Sequence, residues 1–501
     1  MRIAAVLIVV SAVVACGDPN PPGGIIACAQ DSTRACPHHF VCVSGFCYHE
    51  GFTADMSAGP GDDGGSDDLG DNNIDLANGP CANAVQDPGE ADVDCGGSCP
   101  PCAPTKKCVT ANDCITQSCT GGFCTLVSGP PNWLSVPALQ AARSYHAMAA
   151  DGSGRVYVFG GSTTSSSSER YTPGAASWET IPSVNNGPEC AGATDGTGRP
   201  CAVGGRAAMP TNLANCFDPA TSTWVALPPL PTNAADFAAA TAGGIIHTFG
   251  NPFGINTASY AYSSTSNSWV QTANMPEGRG YVAAAAVGSL VVVIGGYDGT
   301  TPIATAMTYD SANNSWGASK TAAMSTARVY LAAAAGGDGR LYAIAGSPTY
   351  NTTGTAVGSV EAYTPQTNKW VSVPALLAPR QNAAAAVGGD GRIYVAGGLN
   401  TSNSSIATVE AYGPVITLSS TSAPAGTVIH VTGSNFAVGA TVHIYFDSTT
   451  SAAITSASTD GIGTLPMTNW TVPAVAAGAH RVIVVDVRSQ FPAYATFNVT
   501  P

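Results

Sequence analysis

Short apolar runs closed by glycine recur through the centre of the chain. Residues 155–159 read Arg-Val-Tyr-Val-Phe, residues 392–396 read Arg-Ile-Tyr-Val-Ala, and a glycine pair follows each run. Asp-Gly turns beginning at Asp151, Asp338 and Asp390 stand ahead of three such runs. Apolar runs of this length between turn residues predict β-strands paired as hairpins. Charged residues make up only 10% of the chain, which argues against long helices.

Aromatic residues mark a repeat in the same region. Six tryptophans occur with spacings of 45, 46, 45, 47 and 54 residues, at Trp133, Trp178, Trp224, Trp269, Trp316 and Trp370. Seven positions before each of the last five stands a Tyr or Phe, namely Tyr171, Phe217, Tyr262, Tyr309 and Tyr363. A period of roughly 40–50 residues with this pattern predicts stacked four-stranded blades.

The glycine pairs, the Tyr-x6-Trp spacing and the apolar strands together resemble the kelch repeat over residues 131–413. Six glycine pairs or their remnants predict six blades of a β-propeller. Trp133 precedes the first glycine pair, and no Trp follows the last aromatic, Tyr412. We therefore predict that the strand at Trp133 closes the ring beside the strand ending at Tyr412, which protects both edges.

Polar and aromatic residues recur near the start of the predicted inner strands. By repeat alignment, the candidates for ligand binding are Arg143, Tyr145, His146, Arg279, Tyr281, Arg328, Tyr330, Arg380 and Asn382. Blades two and three break this pattern with Glu189 and Asp236. One interpretation is structural: the arginines hydrogen-bond loop carbonyls and the tyrosines pack between blades. The other is an anionic or sugar ligand at the channel mouth, with residues 347–359 as a binding rim.

Two enzyme families resemble parts of this pattern and provide alternatives to a binding function. Galactose-oxidase-like copper enzymes also join a kelch ring to a C-terminal β-domain, and their Tyr-His copper pair resembles Tyr145-His146. That family has seven blades and keeps the pair in the last one, and His430, His443 and His480 here stand in no recognisable context. A periplasmic sialic-acid epimerase is a similar six-bladed ring, but its site does not carry over. No motif for a nucleophile, phosphate loop or metal helix occurs, so we expect no catalytic residue, metal or cofactor.

Residues 414–501 form a separate pattern of alternating strands. The segments Gly433-Ser434-Asn435-Phe436 and Trp470-Thr471-Val472-Pro473 resemble the IPT/TIG type of immunoglobulin-like domain. About 87 residues suit one β-sandwich. The predicted fold class is therefore all-β: a six-bladed kelch propeller and a C-terminal Ig-like sandwich, preceded by small disulfide-rich modules.

The first residues predict export. Residues 1–15 form a short positive and then apolar segment, too short to span a bilayer, and residues 13–16, Val-Val-Ala-Cys, resemble the bacterial lipoprotein signal. We expect Cys16 to carry the lipid and residues 16–27 to form a tether. Localisation would then be the bacterial cell envelope, at the outer membrane or the cell surface.

Twelve further cysteines precede residue 125 and predict disulfides in an oxidising compartment. They are Cys28, Cys36, Cys42, Cys47, Cys81, Cys95, Cys99, Cys102, Cys108, Cys114, Cys119 and Cys124. They divide into modules at 28–50 and 81–126, the second containing a Cys-rich segment that resembles exported proteins of myxobacteria-like organisms. The acidic, Gly-rich residues 51–80 read as a solvated linker. Zinc and calcium are the alternatives, but neither ligand spacing fits.

The net charge of the chain restricts the classes of partner that it is expected to bind. The net charge of −14 disfavours nucleic acid, which requires a basic surface. Three cysteines, Cys190, Cys201 and Cys216, fall inside the propeller, and repeat alignment places Cys201 in a second strand and Cys216 in the neighbouring third. We expect one disulfide within this trio, which leaves one thiol. The sequence predicts a lipid-anchored module that binds a protein or a glycan, with a carbohydrate-modifying enzyme as the alternative.

Overall fold

The computed structural model describes residues 131–501, apart from 163–167, 251–254, 318–320, 352–353, 438 and 461–462. It also describes two short hairpins and a few single positions between residues 40 and 124. The first hairpin, Phe40–Val43 with Phe46–His49, belongs to one compact unit, residues 1–73, and everything from residue 74 belongs to a second. Within the described ranges no helix has the length and apolar character needed to cross a bilayer.

Six four-stranded antiparallel sheets form the propeller. The strands of blade one are Ser144–Ala150, Val156–Ser162, Ser168–Tyr171 and Glu179–Ile181; of blade two Ala191–Thr194, Pro200–Val203, Ala214–Asp218 and Thr223–Ala226; of blade three Ala238–Ala242, Ile245–Phe249, Tyr260–Ser263 and Ser268–Gln271. The strands of blade four are Ala283–Val287, Leu290–Ile294, Ala306–Asp310 and Ser315–Trp316, and those of blade five are Ala332–Ala335, Leu341–Ile344, Val360–Thr364 and Lys369–Val373. The first three strands of blade six are Ala384–Val387, Ile393–Ala396 and Val409–Tyr412. The first strands of neighbouring blades contact one another in a closed cycle and line the channel.

The ring closes as the sequence predicts. The outermost strand of blade six is Trp133–Val136, and it pairs antiparallel with Val409–Tyr412 so that Trp133 lies opposite Tyr412. The two rings are 5.1 Å apart, and Trp133 is only 2% exposed. A strand from the start of the repeat region therefore completes the last sheet, and neither edge is left unpaired.

The repeating tryptophans join neighbouring blades. Each indole N–H donates to a carbonyl in the segment that follows the outer strand of the preceding blade. Trp178 bonds Pro137 at 2.8 Å, Trp269 bonds Pro228 at 2.9 Å, and Trp133 bonds Pro374 at 2.9 Å. The Tyr or Phe seven residues earlier lies directly opposite its Trp in the strand ladder, as in Tyr363 with Trp370. The Tyr-x6-Trp spacing therefore corresponds to a cross-strand pair, and the Trp of that pair also hydrogen-bonds the preceding blade.

The glycine pairs are required where two blades approach closely. Gly397 has φ +57°, and a Cβ there would lie 2.6 Å from the carbonyl oxygen of Arg143 in the next blade. Gly398 has φ +97° and donates its N–H to the same carbonyl at 2.9 Å. In blade six a side chain at Gly397 would therefore strain the backbone and collide with blade one, and a side chain at Gly398 would collide with Gln381 of its own blade. Blade five accommodates Ala345, with φ +59°, at the position equivalent to Gly397.

The C-terminal residues form a sandwich of two sheets. The three-stranded sheet has the order Val415–Leu418, Val428–Ser434, Leu465–Thr471; the five-stranded sheet has the order Ser422–Pro424, Pro492–Thr500, Gly478–Asp486, Thr441–Phe446, Thr455–Ser458. Trp470 lies in its core against Phe446 and Phe497. Phe491 reaches out to contact Tyr342 and Tyr412, so the sandwich packs on blades five and six. In the propeller, a short 3-10 turn at Pro365–Thr367 follows the third strand of blade five.

The cysteine predictions are met where the structure describes them. Cys201 and Cys216 are directly opposed on neighbouring strands of blade two and form a disulfide, and Cys190 is the buried free thiol. Cys95, Cys108 and Cys124 are disulfide-bonded and share a small core with Ala91. A second hairpin, Cys119–Thr120 with Phe123–Cys124, lies in the same module. The signal segment, Cys16, the linker and the other Cys pairings lie outside the described residues.

We expect Cys190 to resist alkylation in the folded protein. Burial raises the pKa of its thiol to about 12, so almost no thiolate is present at neutral pH, and the reagent has no access. Treatment with iodoacetamide at pH 8 should leave the peptide containing Cys190 unmodified, whereas the denatured chain should be labelled fully. Rapid labelling of the native protein would show that blade two opens at its inner edge.

Candidate functional site

Six residues in the left-handed conformation form a ring at one mouth of the channel. One comes from each blade: Tyr145, Glu189, Asp236, Tyr281, Tyr330 and Asn382, with φ between 52° and 62°. Five backbone N–H···O=C bonds connect them from blade to blade, such as Glu189 to Tyr145 at 2.7 Å and Asp236 to Glu189 at 3.0 Å. The six residues and the residue after each line one cavity of about 90 Å³. We call this set the mouth ring.

This conformation is costly for most of the residues that adopt it. A bulky non-glycine residue with positive φ costs roughly 1–3 kcal/mol, and Tyr145, Tyr281 and Tyr330 are among the least suited side chains. Strained backbone of this kind clusters at functional sites. All six side chains are half-buried, so each presents part of its surface to the cavity.

The four predicted arginines lie behind the mouth ring and are fully buried. Each guanidinium donates to the carbonyl of the first residue of the glycine pair in its own blade, as Arg380 does to Gly397 at 3.1 Å. In blades one, five and six the guanidinium also pairs with a buried glutamate, in the pairs Arg143–Glu169, Arg328–Glu361 and Arg380–Glu410. Arg279 instead pairs with Glu277, which is 70% exposed. These contacts match the structural interpretation of the arginines, and the mouth-ring residues lie between them and the cavity.

Blade two replaces the arginine by an asparagine pair that sequence reasoning missed. Asn186 donates to the carbonyls of Gly204 at 2.8 Å and Leu213 at 3.1 Å, the same two positions that the arginines bond elsewhere. Asn215 donates to Asn186 at 2.7 Å and takes the place of the glutamate. The signal was available, because Asn215 stands two residues before Phe217, as Glu361 stands two before Tyr363.

Two carboxyl groups face one guanidinium in the mouth ring. Arg206 hydrogen-bonds Glu189 through Nε, and its Nη2 lies 3.7 Å from Oδ2 of Asp236. Burial, together with the neighbouring charge of Glu189, raises the pKa of Asp236 to about 8. Asp236 therefore keeps its proton near neutral pH. The repeat alignment places Glu189 and Asp236 as breaks in the Tyr pattern; in three dimensions they are neighbours in the ring.

Aromatic side chains cluster beside the part of the mouth ring that blades four and five supply. Tyr281 and Tyr330 meet edge to face with ring centres 5.0 Å apart, and Tyr350 lies 5.3 Å from Tyr281. Tyr350 stacks in turn on Tyr297 at 4.1 Å. It comes from the blade-five loop, residues 347–359, that the sequence predicts as a binding rim. The structure thus places part of that loop beside the mouth ring.

His146 lies at the edge of the same cavity but is buried, with 5% exposure. Burial and the nearby charge of Arg143 lower the pKa of His146 to about 3, although a backbone hydrogen bond at Ala396 acts in the opposite direction. The ring is therefore neutral at physiological pH.

The residues at the mouth do not fit a copper centre of the oxidase type. His146 is the single histidine among the described residues that line the cavity. His430 contacts Asn469 and His480 contacts Asp447, and both belong to the C-terminal sandwich, as does His443. Metal-ligating atoms do converge at Asp195, Cys201 and Cys216, but the two sulfurs are joined as a disulfide.

We expect Asp236 to make the folded state less stable as pH rises. Its pKa is raised from 3.8 to about 8 on folding, so the folded state binds the proton more tightly, and this contribution to stability is lost as pH rises from about 4 through 8. The melting temperature should fall between pH 6.5 and pH 9, and Asp236→Asn should remove much of that fall. Glu179→Gln, at a 59% exposed acid on an outer strand, is the matched control. Parallel pH profiles for wild type and Asp236→Asn would contradict this.

Comparison with known proteins agrees with the fold. The kelch motif matches residues 278–316 and 328–377, and the IPT/TIG domain matches residues 414–499. The chain therefore contains kelch motifs and an IPT/TIG domain.

Curated relatives match part of the chain. The chain is 28% identical over 191 residues to Kelch-like protein 35 of Mus musculus, covering 37% of this chain and 31% of that protein. It is 27% identical over 281 residues to Kelch-like protein 36 of Rattus norvegicus, covering 55% and 39%. Among these relatives the chain spans between 27% and 41% of their length.

Solved structures are similar at low identity. A structure of YjhT matches with 15% identity and a TM-score of 0.49, covering 60% of this chain and 99% of that one. A fungal alcohol oxidase of the AA5 family, in complex with copper, matches with 16% identity and a TM-score of 0.45, covering 71% and 85%. The copper belongs to that oxidase.

Proposed function

We propose that this chain is an exported, lipid-anchored protein of the bacterial cell envelope whose propeller binds a protein or a glycan at the mouth ring. Kelch motifs beside an IPT/TIG domain support an interaction module. The observation that carries the proposal is the mouth ring itself. Six strained residues, three of them half-buried tyrosines, converge on one cavity, while separate, fully buried side chains hold the blades together.

The buried arginine and asparagine side chains and the mouth-ring residues have separate roles, and this separation supports a ligand-binding function for the mouth ring. Arginine or asparagine behind the ring satisfies the carbonyls of its own blade in five of the blades, so the polar groups in front are not needed for that purpose. Conformational strain is retained where a side chain must be presented in a fixed direction. Tyrosine offers both a flat apolar face and a hydroxyl, which suits contact with peptides and with sugars.

The test compares three forms of the full chain. Wild type, a Tyr281→Ala/Tyr330→Ala double variant and a Tyr445→Ala control are applied to a glycan array and to an envelope-protein pull-down. Tyr445 is a half-buried tyrosine of the C-terminal sandwich. We expect wild type and the control to capture the same glycan or protein, and the double variant to lose it. Equal capture by all three would place binding outside the mouth ring and overturn the proposal.

A carbohydrate-modifying enzyme is the second candidate, and the acid pair favours it. A carboxyl group that keeps its proton near pH 7, as Asp236 does, is a condition for general acid catalysis. Turnover of a bound sugar, followed by NMR and abolished in Asp236→Asn, would support this candidate. Stoichiometric copper in metal analysis would support an oxidase, whereas unchanged bound sugar would support a binding module.

Lipid anchoring rests on Cys16 and has its own test. Cys16→Ser removes the thiol that would carry the lipid. We expect the variant to move from the membrane pellet to the soluble exported fraction, with wild type remaining in the pellet. A variant that stays in the membrane would remove the lipoprotein assignment and leave the binding proposal in place.

A further inference from the structure

A groove lies between the propeller and the C-terminal sandwich, at the end of the channel away from the mouth ring. On the propeller side it is lined by the turns that follow the first strands of blades one and six, at residues 151–154 and 388–390. On the sandwich side it is lined by residues 415–418, residues 494–496 and Arg481. Its volume is about 660 Å³, within the range of roughly 300–1,000 Å³ that is typical of ligand sites, which favour domain boundaries. We call this set the domain groove.

Direct contacts hold the two walls of the domain groove in place. Tyr494 of the sandwich donates its backbone N–H to the carbonyl of Asp390 in blade six at 3.1 Å. The Tyr494 ring lies so close to Gly391 that a Cβ added there would be 2.7 Å from two of its carbons. Because the walls are already joined in the free protein, a ligand in the groove does not have to order them, which lowers the entropic cost of binding.

Arg481 brings a guanidinium without an ion-pair partner to the domain groove. Its Cζ lies over the ring of Tyr494, 4.9 Å from the ring centre, and it forms no ion pair with any residue that the structure describes. The neighbouring acid, Asp447, does not line the groove; one of its oxygens accepts the backbone N–H of Arg481 at 2.8 Å, and the other bonds the ring of His480 at 2.7 Å. The N–H groups of the guanidinium therefore stay available, and their planar arrangement matches the two oxygens of a carboxylate.

Threonine hydroxyls line the same groove beside apolar surface. Thr417, Thr421 and Thr496 are exposed, and none of their hydroxyls bonds another described residue. Leu418 and Pro173 add half-buried apolar area. A hydroxyl both donates and accepts hydrogen bonds, so three of them suit a ligand that itself carries several hydroxyls. One carboxylate, several hydroxyls and an apolar ring face occur together in an acidic sugar.

We propose that the domain groove binds an acidic sugar, of the class of a hexuronic acid unit in a polysaccharide. Arg481 holds the carboxylate by a two-point hydrogen bond, and Thr417, Thr421 and Thr496 bond hydroxyls of the sugar. This site is separate from the mouth ring and does not depend on the function proposed there. The net charge of −14 disfavours anions at long range, so the direct contact with Arg481 has to provide the selectivity for the carboxylate.

The test titrates the purified full chain with small probes by calorimetry, at physiological salt so that the net charge is screened. The probes are methyl galacturonoside and methyl glucuronoside, the methyl esters of both as uncharged matches, and acetate as a carboxylate without a sugar. We expect one of the two acids to bind at least about tenfold more tightly than its own ester and than acetate. Equal binding of acid and ester, acetate binding as tightly as the acids, or no binding of either acid at millimolar concentration would each refute the inference.

Substitution of Arg481 locates the site. Arg481→Gln removes the charge and the two-point contact, and it should weaken binding of the acid at least about tenfold while leaving the weak binding of the ester unchanged. Because Arg481 is exposed, the variant should fold, which circular dichroism checks. Arg170→Gln changes an arginine of blade one outside the groove and should have no effect. Undiminished binding of the acid in Arg481→Gln would show that this guanidinium is not the ligand site.

A second variant separates the domain groove from the mouth ring. The Tyr281→Ala/Tyr330→Ala variant changes the mouth ring alone and should bind the acidic sugar as wild type does. Loss of binding in that variant, with binding retained in Arg481→Gln, would place the acidic sugar in the mouth ring, which refutes this inference and supports the proposed function. Failure of the mouth ring to capture a protein or glycan leaves the domain groove unaffected.

Discussion

Replacing Trp133 by alanine is expected to loosen blade six far more than blade one. Trp133 lies 279 residues before its strand partner Tyr412, its indole N–H bonds Pro374, and it is almost fully buried. Truncating a buried Trp costs about 3–5 kcal/mol, and here the loss falls on the sheet that closes the ring. Amide exchange should accelerate at residues 393–412 and change little at 156–171.

A matched substitution separates closure from general destabilisation. Trp224 holds the same motif position in blade two and also bonds a carbonyl, that of Pro182. It is only half-buried, and the one strand that pairs with its own, Ala214–Asp218, is local in sequence. Trp224→Ala should lower stability less and leave exchange at 393–412 unchanged. Deleting residues 131–139 should reproduce the Trp133→Ala result more strongly. Protection at 393–412 equal to that of the intact protein would refute ring closure by this strand.

Removing Glu361 is expected to destabilise the propeller by about 3–5 kcal/mol. Glu361 pairs with Arg328, both side chains are buried, and the same carboxylate accepts the N–H of Ser325 at 2.7 Å. Glu361→Ala leaves a charged guanidinium buried without its partner, which is far more costly than losing an exposed pair. The midpoint of guanidinium-induced unfolding should fall accordingly.

Blade four contains the control. Arg279 is buried like Arg328, but its acidic partner Glu277 is 70% exposed, and two backbone carbonyls and Thr305 hold the guanidinium as well. Glu277→Ala should therefore cost less than about 1 kcal/mol. Replacing both members of the buried pair, as Arg328→Met/Glu361→Leu, should recover part of the lost stability. Equal losses for Glu361→Ala and Glu277→Ala would show that burial does not govern these pairs.

Much of the fold was readable because the chain repeats. Trp and Gly recur at fixed offsets, so the blade number and the strand at Trp133 followed from alignment of one repeat with the next. Alignment also placed Cys201 and Cys216 on neighbouring strands, and the structure shows that these two of the three propeller cysteines form the disulfide. Strand alternation and the Trp470 segment likewise indicated the C-terminal sandwich. The blades depend on local hairpins, where neighbours in sequence are neighbours in the sheet, whereas the strand at Trp133 meets its partner at Tyr412 only because the ring closes.

The composition of the mouth ring was predictable from the sequence only in part. Alignment placed Tyr145, Tyr281, Tyr330 and Asn382 at equivalent positions, and these do share the mouth ring. The sequence alone determined that six such positions face one channel, because repeats related by a rotation bring equivalent residues together. It did not determine which polar residues reach the cavity. Alignment predicted the arginines and treated Glu189 and Asp236 as breaks in the pattern.

Tertiary structure reversed those roles for a physical reason. The arginine two residues before each mouth-ring position in blades one, four, five and six points back into its own blade, where buried carbonyls and, in most cases, a glutamate of the third strand would otherwise lack partners. Glu189 and Asp236, 47 residues apart in sequence, meet only because adjacent blades curve round the channel. The sequence period determined that equivalent residues form a ring. The tertiary structure decided which charged side chains reach the cavity, because the arginines are buried within their blades and Glu189 and Asp236 are not.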